Sequence, residues 1–136
     1  RRMVPGCYAP LPPNWGYENR TTAIRIPGGD ERAIRIEHRV AGADANPYLT
    51  VAAMLAGVLY GIEHKLEPTE PVVGDAGDVI PELPHFWNDA ITTFEESRFI
   101  NDYLGAELQE NYVRCKRQEK REFDSRVTLM EYDALL

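Results

Sequence analysis

The chain has 136 residues, 43% hydrophobic and 27% charged, which describes a soluble globular protein with enough apolar material for a core. A formal net charge of -7 argues against a nucleic-acid binder, and the absence of any run of about 20 apolar residues argues against a membrane span. The charge is unevenly placed: residues 1–39 hold seven Arg, no Lys and four acidic residues, so a local arginine-rich site stands against an acidic remainder. Arginine without lysine favours shaped recognition of carboxylates and phosphates over diffuse attraction to a polyanion.

Residues 1–18, RRMVPGCYAPLPPNWGYE, contain Pro5, Pro10, Pro12, Pro13, Gly6 and Gly16, a composition that predicts an irregular, shaped loop. Tyr8, Trp15 and Tyr17 give that loop apolar surface to anchor it. The chain opens without an initiator Met or a signal peptide, as a piece of a longer protein would.

Residues 19–40, NRTTAIRIPGGDERAIRIEHRV, alternate in character on both sides of a Gly-Gly-Asp turn and predict an antiparallel strand pair. Successive side chains of a strand point to opposite faces, so Ile24 and Ile26 share one face while Arg25 takes the other. In the second strand Ile34, Ile36 and His38 lie on one side, and Arg35, Glu37 and Arg39 form a ladder on the other, about 7 Å between rungs. Such a ladder is either an anion site or a solvated sheet face whose ion pairs are worth little.

Asn46 and Pro47 form a good helix start, a capping side chain followed by Pro at the first helical position, and the helix should run to about Leu66. Its apolar content predicts a buried helix. Residues 67–86 form an acidic connection rich in Pro and Gly, in which no function is legible. Three further helical stretches follow: one with Trp87, Ile91 and Phe94 on a face, a short one capped by Ser97 and ending at Leu104-Gly105, and a longer one with Leu108, Tyr112 and Cys115 aligned, reaching about Phe123. The cluster KRQEKRE at 116–122 mixes both signs at helical spacing and predicts a solvated face. Cys7 and Cys115 are far apart with no metal-ligand spacing, and His38, His64 and His85 show none either, so a reducing, cytoplasmic setting is expected without a histidine-built metal site.

The motifs RRMVPGCYAP, NRTTAIRIP, RIEHR and GADANPYL, in this order, resemble the C-terminal part of the glutamine synthetase catalytic domain. LPHFW, ESRFINDYLG and VTLMEYDALL are similar to that family's tail, so the resemblance covers nearly the whole chain. It implies an α+β fold in which antiparallel strands belonging to a larger sheet are packed by helices. It also implies an ATP-dependent ligase that activates the γ-carboxylate of glutamate as γ-glutamyl phosphate and joins it to an amine, using Mg²⁺ or Mn²⁺, in a ring-shaped homo-oligomer. Carried over residue by residue, Arg2, Arg20 and Arg39 match arginines that bind glutamate. Arg20, Arg25, Arg32 and Arg35 match nucleotide and phosphoryl contacts, Arg20 and Arg35 lying nearest the reaction. Glu37 matches a divalent-metal ligand whose companions lie upstream of Arg1, so this chain by itself is expected to be inactive.

Two departures matter. Glutamine synthetases carry a glutamate in the loop after VPG that helps deprotonate ammonium; here Tyr8 stands in its place. Tyrosine, with an ordinary pKa near 10, is neutral at pH 7 and offers an aromatic wall that suits an amine with an alkyl chain. The resemblance is therefore nearer the γ-glutamylpolyamine branch, including γ-glutamylputrescine synthetases. Pro81 replaces the family's adenylylated tyrosine, which removes that form of control. The competing readings are an ordinary ammonium-using glutamine synthetase and a non-catalytic homologue retained for assembly.

Overall fold

The computed structural model describes residues 9–78 and 83–135. The chain divides into two compact units, Arg1–His85 and Phe86–Leu136.

The first unit holds a three-stranded sheet in the order β1 (Trp15–Tyr17), β2 (Ile24–Ile26), β3 (Glu37–His38). The β2 and β3 strands are antiparallel, with Ile24 opposite His38 and Arg25 opposite Glu37, and the amide of Arg39 donating to the Ala23 carbonyl extends the pairing by one step. To this expected pair the structure adds β1, parallel to β2, at the end of the segment expected to be an irregular loop through most of its length. Parallel neighbours normally need a crossover of a dozen residues or more. Here residues 18–23 suffice because the strands are only three residues long; the chain has to retrace only about 10 Å. Glu18 starts the reversal in the left-handed region, at φ +49°.

The strand pair is shorter than its alternation predicts. After Ile26 comes Pro27, which lacks the N–H that a continuing ladder needs. Residues 27–36 therefore form a broad loop, in which the Asp30 side chain accepts from the amides of Arg32 and Ala33, each at 3.1 Å. Ile34 and Ile36, expected on a strand face, are exposed.

The connection after the helix is stitched to the β1–β2 reversal. The Val72 amide donates to the Trp15 carbonyl at 2.8 Å, and the Trp15 indole donates to the Thr69 carbonyl at 2.7 Å. Asn19 Nδ2 donates to the carbonyls of Val72 and Gly74 at 3.0 and 2.8 Å, while its Oδ1 accepts from the amide and hydroxyl of Thr21. Thr21 Oγ1 in turn accepts from the Ala76 amide. Thr22 is fully buried, its hydroxyl within hydrogen-bond distance of the carbonyls of Asn19 and Ile24. Gly16 is required where the two segments meet: a Cβ there would lie 2.7 Å from the Val72 carbonyl oxygen.

Helix α1 (Pro47–Glu63) starts as expected, with Asn46 Oδ1 accepting from the amides of Tyr48 and Leu49. It is not the buried helix its composition suggests. Ala56 is its buried residue, whereas Tyr48, Val51, Leu55, Val58 and Ile62, spaced three and four apart, form an exposed apolar stripe.

The second unit is helical: α2 (Trp87–Glu96), α3 (Arg98–Leu104), α4 (Ala106–Asp124) and α5 (Leu129–Leu135). Helices α2 and α4 pack antiparallel through Phe94 on Tyr112 and Trp87 on Phe123, ring centroids 5.0 and 6.0 Å apart, around buried Ile91 and Val113. The packed face of α4 keeps Tyr112 of the expected set, with Leu108 half-buried, and is widened by Gln109, Val113 and Phe123, whereas Cys115 is exposed. Buried Gln109 accounts for the widening: its two Nε2 hydrogens are shared among the carbonyls of Phe94, Glu95 and Ser97, which closes the C-terminal end of α2. Ser97 caps α3 through the Ile100 amide, and Gly105, at φ +88°, separates α3 from α4. The 116–122 cluster is the solvated face expected of it, with Lys116–Glu119 and Lys120–Asp124 pairs. Helix α5 is a fourth helical stretch where three were expected.

Candidate active site

The β2–β3 pairing brings the charged rungs together. Arg25, whose side chain is 12% exposed, donates through one terminal nitrogen to Glu37 Oε2 at 2.9 Å and through the other to Glu18 Oε2 at 2.6 Å. Arg35 donates to the second oxygen of Glu37 at 2.8 Å and to the Ala33 carbonyl at 3.1 Å. The result is a continuous chain Glu18–Arg25–Glu37–Arg35 along one sheet face. Its position follows from the register, because Arg25 and Glu37 are directly opposite and therefore on the same side.

The electrostatics favour full ionisation. The Arg25 hydrogen bond, then that of Arg35, holds the Glu37 carboxyl below the usual carboxylate range. Glu18 is lowered first by the Gly28 amide, which donates to its Oε1, and then by Arg25. Arg25 is raised by Glu18 first and Glu37 second.

The other expected residues divide. Arg39 is half-buried on the ladder face, and its Nε, like Arg25 Nε, is a buried donor with no acceptor among the described residues. Arg20 is exposed, its charge reaching Glu18, and Arg32 is exposed on the 27–36 loop. Arg2 and Tyr8, with Cys7 and Pro81, lie outside the described residues. The open groove lined by Leu104, Leu108, Asn111, Tyr112 and Cys115 is in the second unit and contains none of the ladder.

Sequence reasoning missed Glu18 and Asn19. Glu18 falls outside the alternating segment, so no periodicity points to it. Asn19 did carry a signal: Asn followed two residues later by Thr is the pattern of an Asx turn, which forms here and sets the backbone on either side of Arg20.

Glu37 suits a hard divalent cation. Its carboxylate is ionised, and each oxygen takes one guanidinium bond, leaving further lone pairs for an ion that prefers oxygen ligands. It supplies one carboxylate; among the described residues no cluster of three His, Cys, Asp or Glu forms a complete site.

Residues 1–135 match the family described as glutamine synthetase, catalytic domain. The chain belongs to this family. It is 41% identical over 138 residues to gamma-glutamylputrescine synthetase of Escherichia coli (strain K12), an alignment covering 100% of this chain and 29% of that protein. Identity to type-1 glutamine synthetase 2 of Dictyostelium discoideum is 37% over 142 residues, covering 100% and 27%. With gamma-glutamylethanolamide synthetase of Streptomyces coelicolor it is 38% over 129 residues, covering 94% and 28%. The chain thus spans less than a third of these glutamine synthetase relatives. Its α+β character agrees with the family, the small sheet being mixed. No helix among the described residues is long and apolar enough to cross a membrane.

Proposed function

We propose that the full-length protein is an ATP-dependent ligase that joins the γ-carboxylate of glutamate to an alkylamine or polyamine. The observation that carries this reading is the Glu18–Arg25–Glu37–Arg35 chain, an ionised carboxylate between two guanidiniums, in a chain of this family. Phosphoryl transfer is catalysed chiefly by positioning and charge neutralisation, and this arrangement offers both.

In the proposed reaction the γ-carboxylate oxygen of glutamate attacks the terminal phosphorus of ATP and ADP leaves. The amine nitrogen then attacks the acyl carbon of γ-glutamyl phosphate, phosphate departs, and the nitrogen gives up a proton. Arg2, Arg20 and Arg39 bind the glutamate; Arg20, Arg25, Arg32 and Arg35 face the phosphates, with Arg35 on the transferring group. Glu37 would hold Mg²⁺ or Mn²⁺, which when bound neutralises phosphate charge. A cytoplasmic, ring-shaped homo-oligomer whose neighbouring subunit completes each site is part of the proposal, and the free, exposed Cys115 suits a reducing compartment.

The acceptor rests on Tyr8. An aromatic in place of an anionic base favours amines that bury methylenes, worth about 0.8 kcal/mol per CH₂. The test is kcat/KM for ammonium, ethanolamine and putrescine in the full-length protein and in Tyr8→Glu. Putrescine is expected to be preferred in the parent, with the ratio moving toward ammonium in the variant. A parent that favours ammonium, or a ratio unmoved by Tyr8→Glu, would return the protein to the ammonium-using reading, which the similarity to the Dictyostelium glutamine synthetase supports.

A further inference from the structure

Arg25 has two terminal nitrogens and two carboxylates to satisfy, and it gives one to each. An arginine beside a single carboxylate ordinarily closes on it with both prongs of the fork, the strongest geometry available to the pair. Three features keep Arg25 from doing so. Glu18 takes the second prong at 2.6 Å. The Glu18 carboxylate is itself anchored, its other oxygen accepting from the Gly28 amide. Its backbone is held in the left-handed region, an uncommon conformation for a residue with a side chain, at the point where the chain turns back from β1 toward β2.

The consequence appears at Glu37. With Arg25 restricted to Oε2, Oε1 is left to Arg35, and the carboxylate is shared between two cations instead of being captured by one. Arg25 Nε is buried, so the guanidinium has little scope to find another arrangement by turning toward solvent.

We propose that Glu18 is a positioning residue which acts through Arg25: by occupying one prong of the fork it keeps the Arg25–Glu37 pair single-pronged and leaves Glu37 open to a divalent cation. This rests on the reading of Glu37 as a metal-binding carboxylate. Glu18→Gln is the informative variant, because its amide oxygen still accepts from Gly28 while its charge, and with it the claim on Arg25, is lost.

The experiment titrates Mn²⁺ into the full-length protein by calorimetry and electron paramagnetic resonance, defining the Glu37-dependent site as the one lost in Glu37→Ala. In Glu18→Gln the dissociation constant at that site is expected to rise about tenfold, the low end of the range for direct partners of metal ligands, because the effect passes through Arg25. In an Arg25→Lys background, where no fork exists, adding Glu18→Gln should change it less than about twofold, since a residue that acts only through its partner has no further effect once that partner is altered. A crystal structure of full-length Glu18→Gln should show both terminal nitrogens of Arg25 on Glu37, a readout that stands if Arg25→Lys does not fold. Unchanged Mn²⁺ affinity in Glu18→Gln, a full effect persisting beside Arg25→Lys, or a single-pronged Arg25 in that crystal structure overturns the inference. Amine ligation by the parent is scored separately: ligation with no Glu18 effect defeats this inference alone, and the Mn²⁺ pattern without ligation defeats the ligase reading alone.

Discussion

Asn19→Ala is the substitution from which most can be learned about how the site is held. The side chain makes four hydrogen bonds, two of them to the carbonyls of Val72 and Gly74, across 53 and 55 residues of sequence. At about 1 kcal/mol net for each long-range bond, plus a share for the Asx turn, the loss is about 2–3 kcal/mol of local stability. That opens the contact roughly 30- to 150-fold more often, at 1.4 kcal/mol per factor of ten. Hydrogen exchange in the full-length protein reads this directly through the amides of Val72 and Ala76, which donate to Trp15 and Thr21. Asn19→Asp sharpens the test. It retains an acceptor for Thr21 but turns a carboxylate oxygen toward two carbonyls, so exchange should rise at least as much as in the alanine variant. Exchange over 69–76 unchanged within about twofold in both variants would refute the reasoning, since local opening must track the lost bonds.

Gln109→Ala should cost about 2–3 kcal/mol in the second unit, because the two N–H groups shared among the carbonyls at the end of α2 and the Oε1 that accepts from Asn101 are lost together; faster exchange across α2 and α4 is the measurement. Glu131 is lowered by the amide and then the hydroxyl of Thr128. Its contribution to α5 is therefore complete above the ordinary glutamate pKa, about 4.3, and is lost as pH falls through the lower native value, which Cα chemical shifts of 129–135 would follow. In the full-length protein, on the ligase reading proposed above, Glu37→Ala should reduce metal-dependent phosphoryl transfer severely. His64→Ala should be nearly silent, since that ring is exposed and packs on the carbonyl and ring of Tyr60 four residues earlier in α1; equal losses in the two would remove the basis for the metal role.

Local rules read the parts of this chain that are local. Asn46-Pro47 and Ser97 announced their helices because capping depends on a few adjacent residues, and strand alternation separated Arg25 from Ile24 and Ile26 and grouped Glu37 with Arg35, while the register that sets Arg25 opposite Glu37 came from the fold. The three-residue β1 was invisible, being too short to establish a period among prolines and glycines. The α5 helix was legible but unread: Thr128-Leu129-Met130-Glu131 is a capping box, and both of its reciprocal bonds form. Burial of α1 failed as an expectation because composition reports an affinity for apolar neighbours, not whether this segment supplies them. In the site, Arg25 and Glu37 were found by periodicity. Glu18 entered only through the folded reversal of the chain, which brings it to Arg25 seven residues on.

The stitching of residues 15–22 to 69–76 also sets an order of events during synthesis. Arg20 and Arg25 leave the ribosome some 50 residues before Val72 and Gly74, the groups that pin Asn19. At translation speeds of about 5–20 residues per second, that is an interval of roughly 3–10 seconds in which the arginine-bearing reversal has none of its later partners. Over the same interval α1 emerges with its apolar stripe uncovered. The nascent chain therefore presents an unpinned arginine-bearing reversal and a greasy helix together, a combination that invites chaperone capture, and codon choice between positions 26 and 72 becomes a lever on the yield of folded protein.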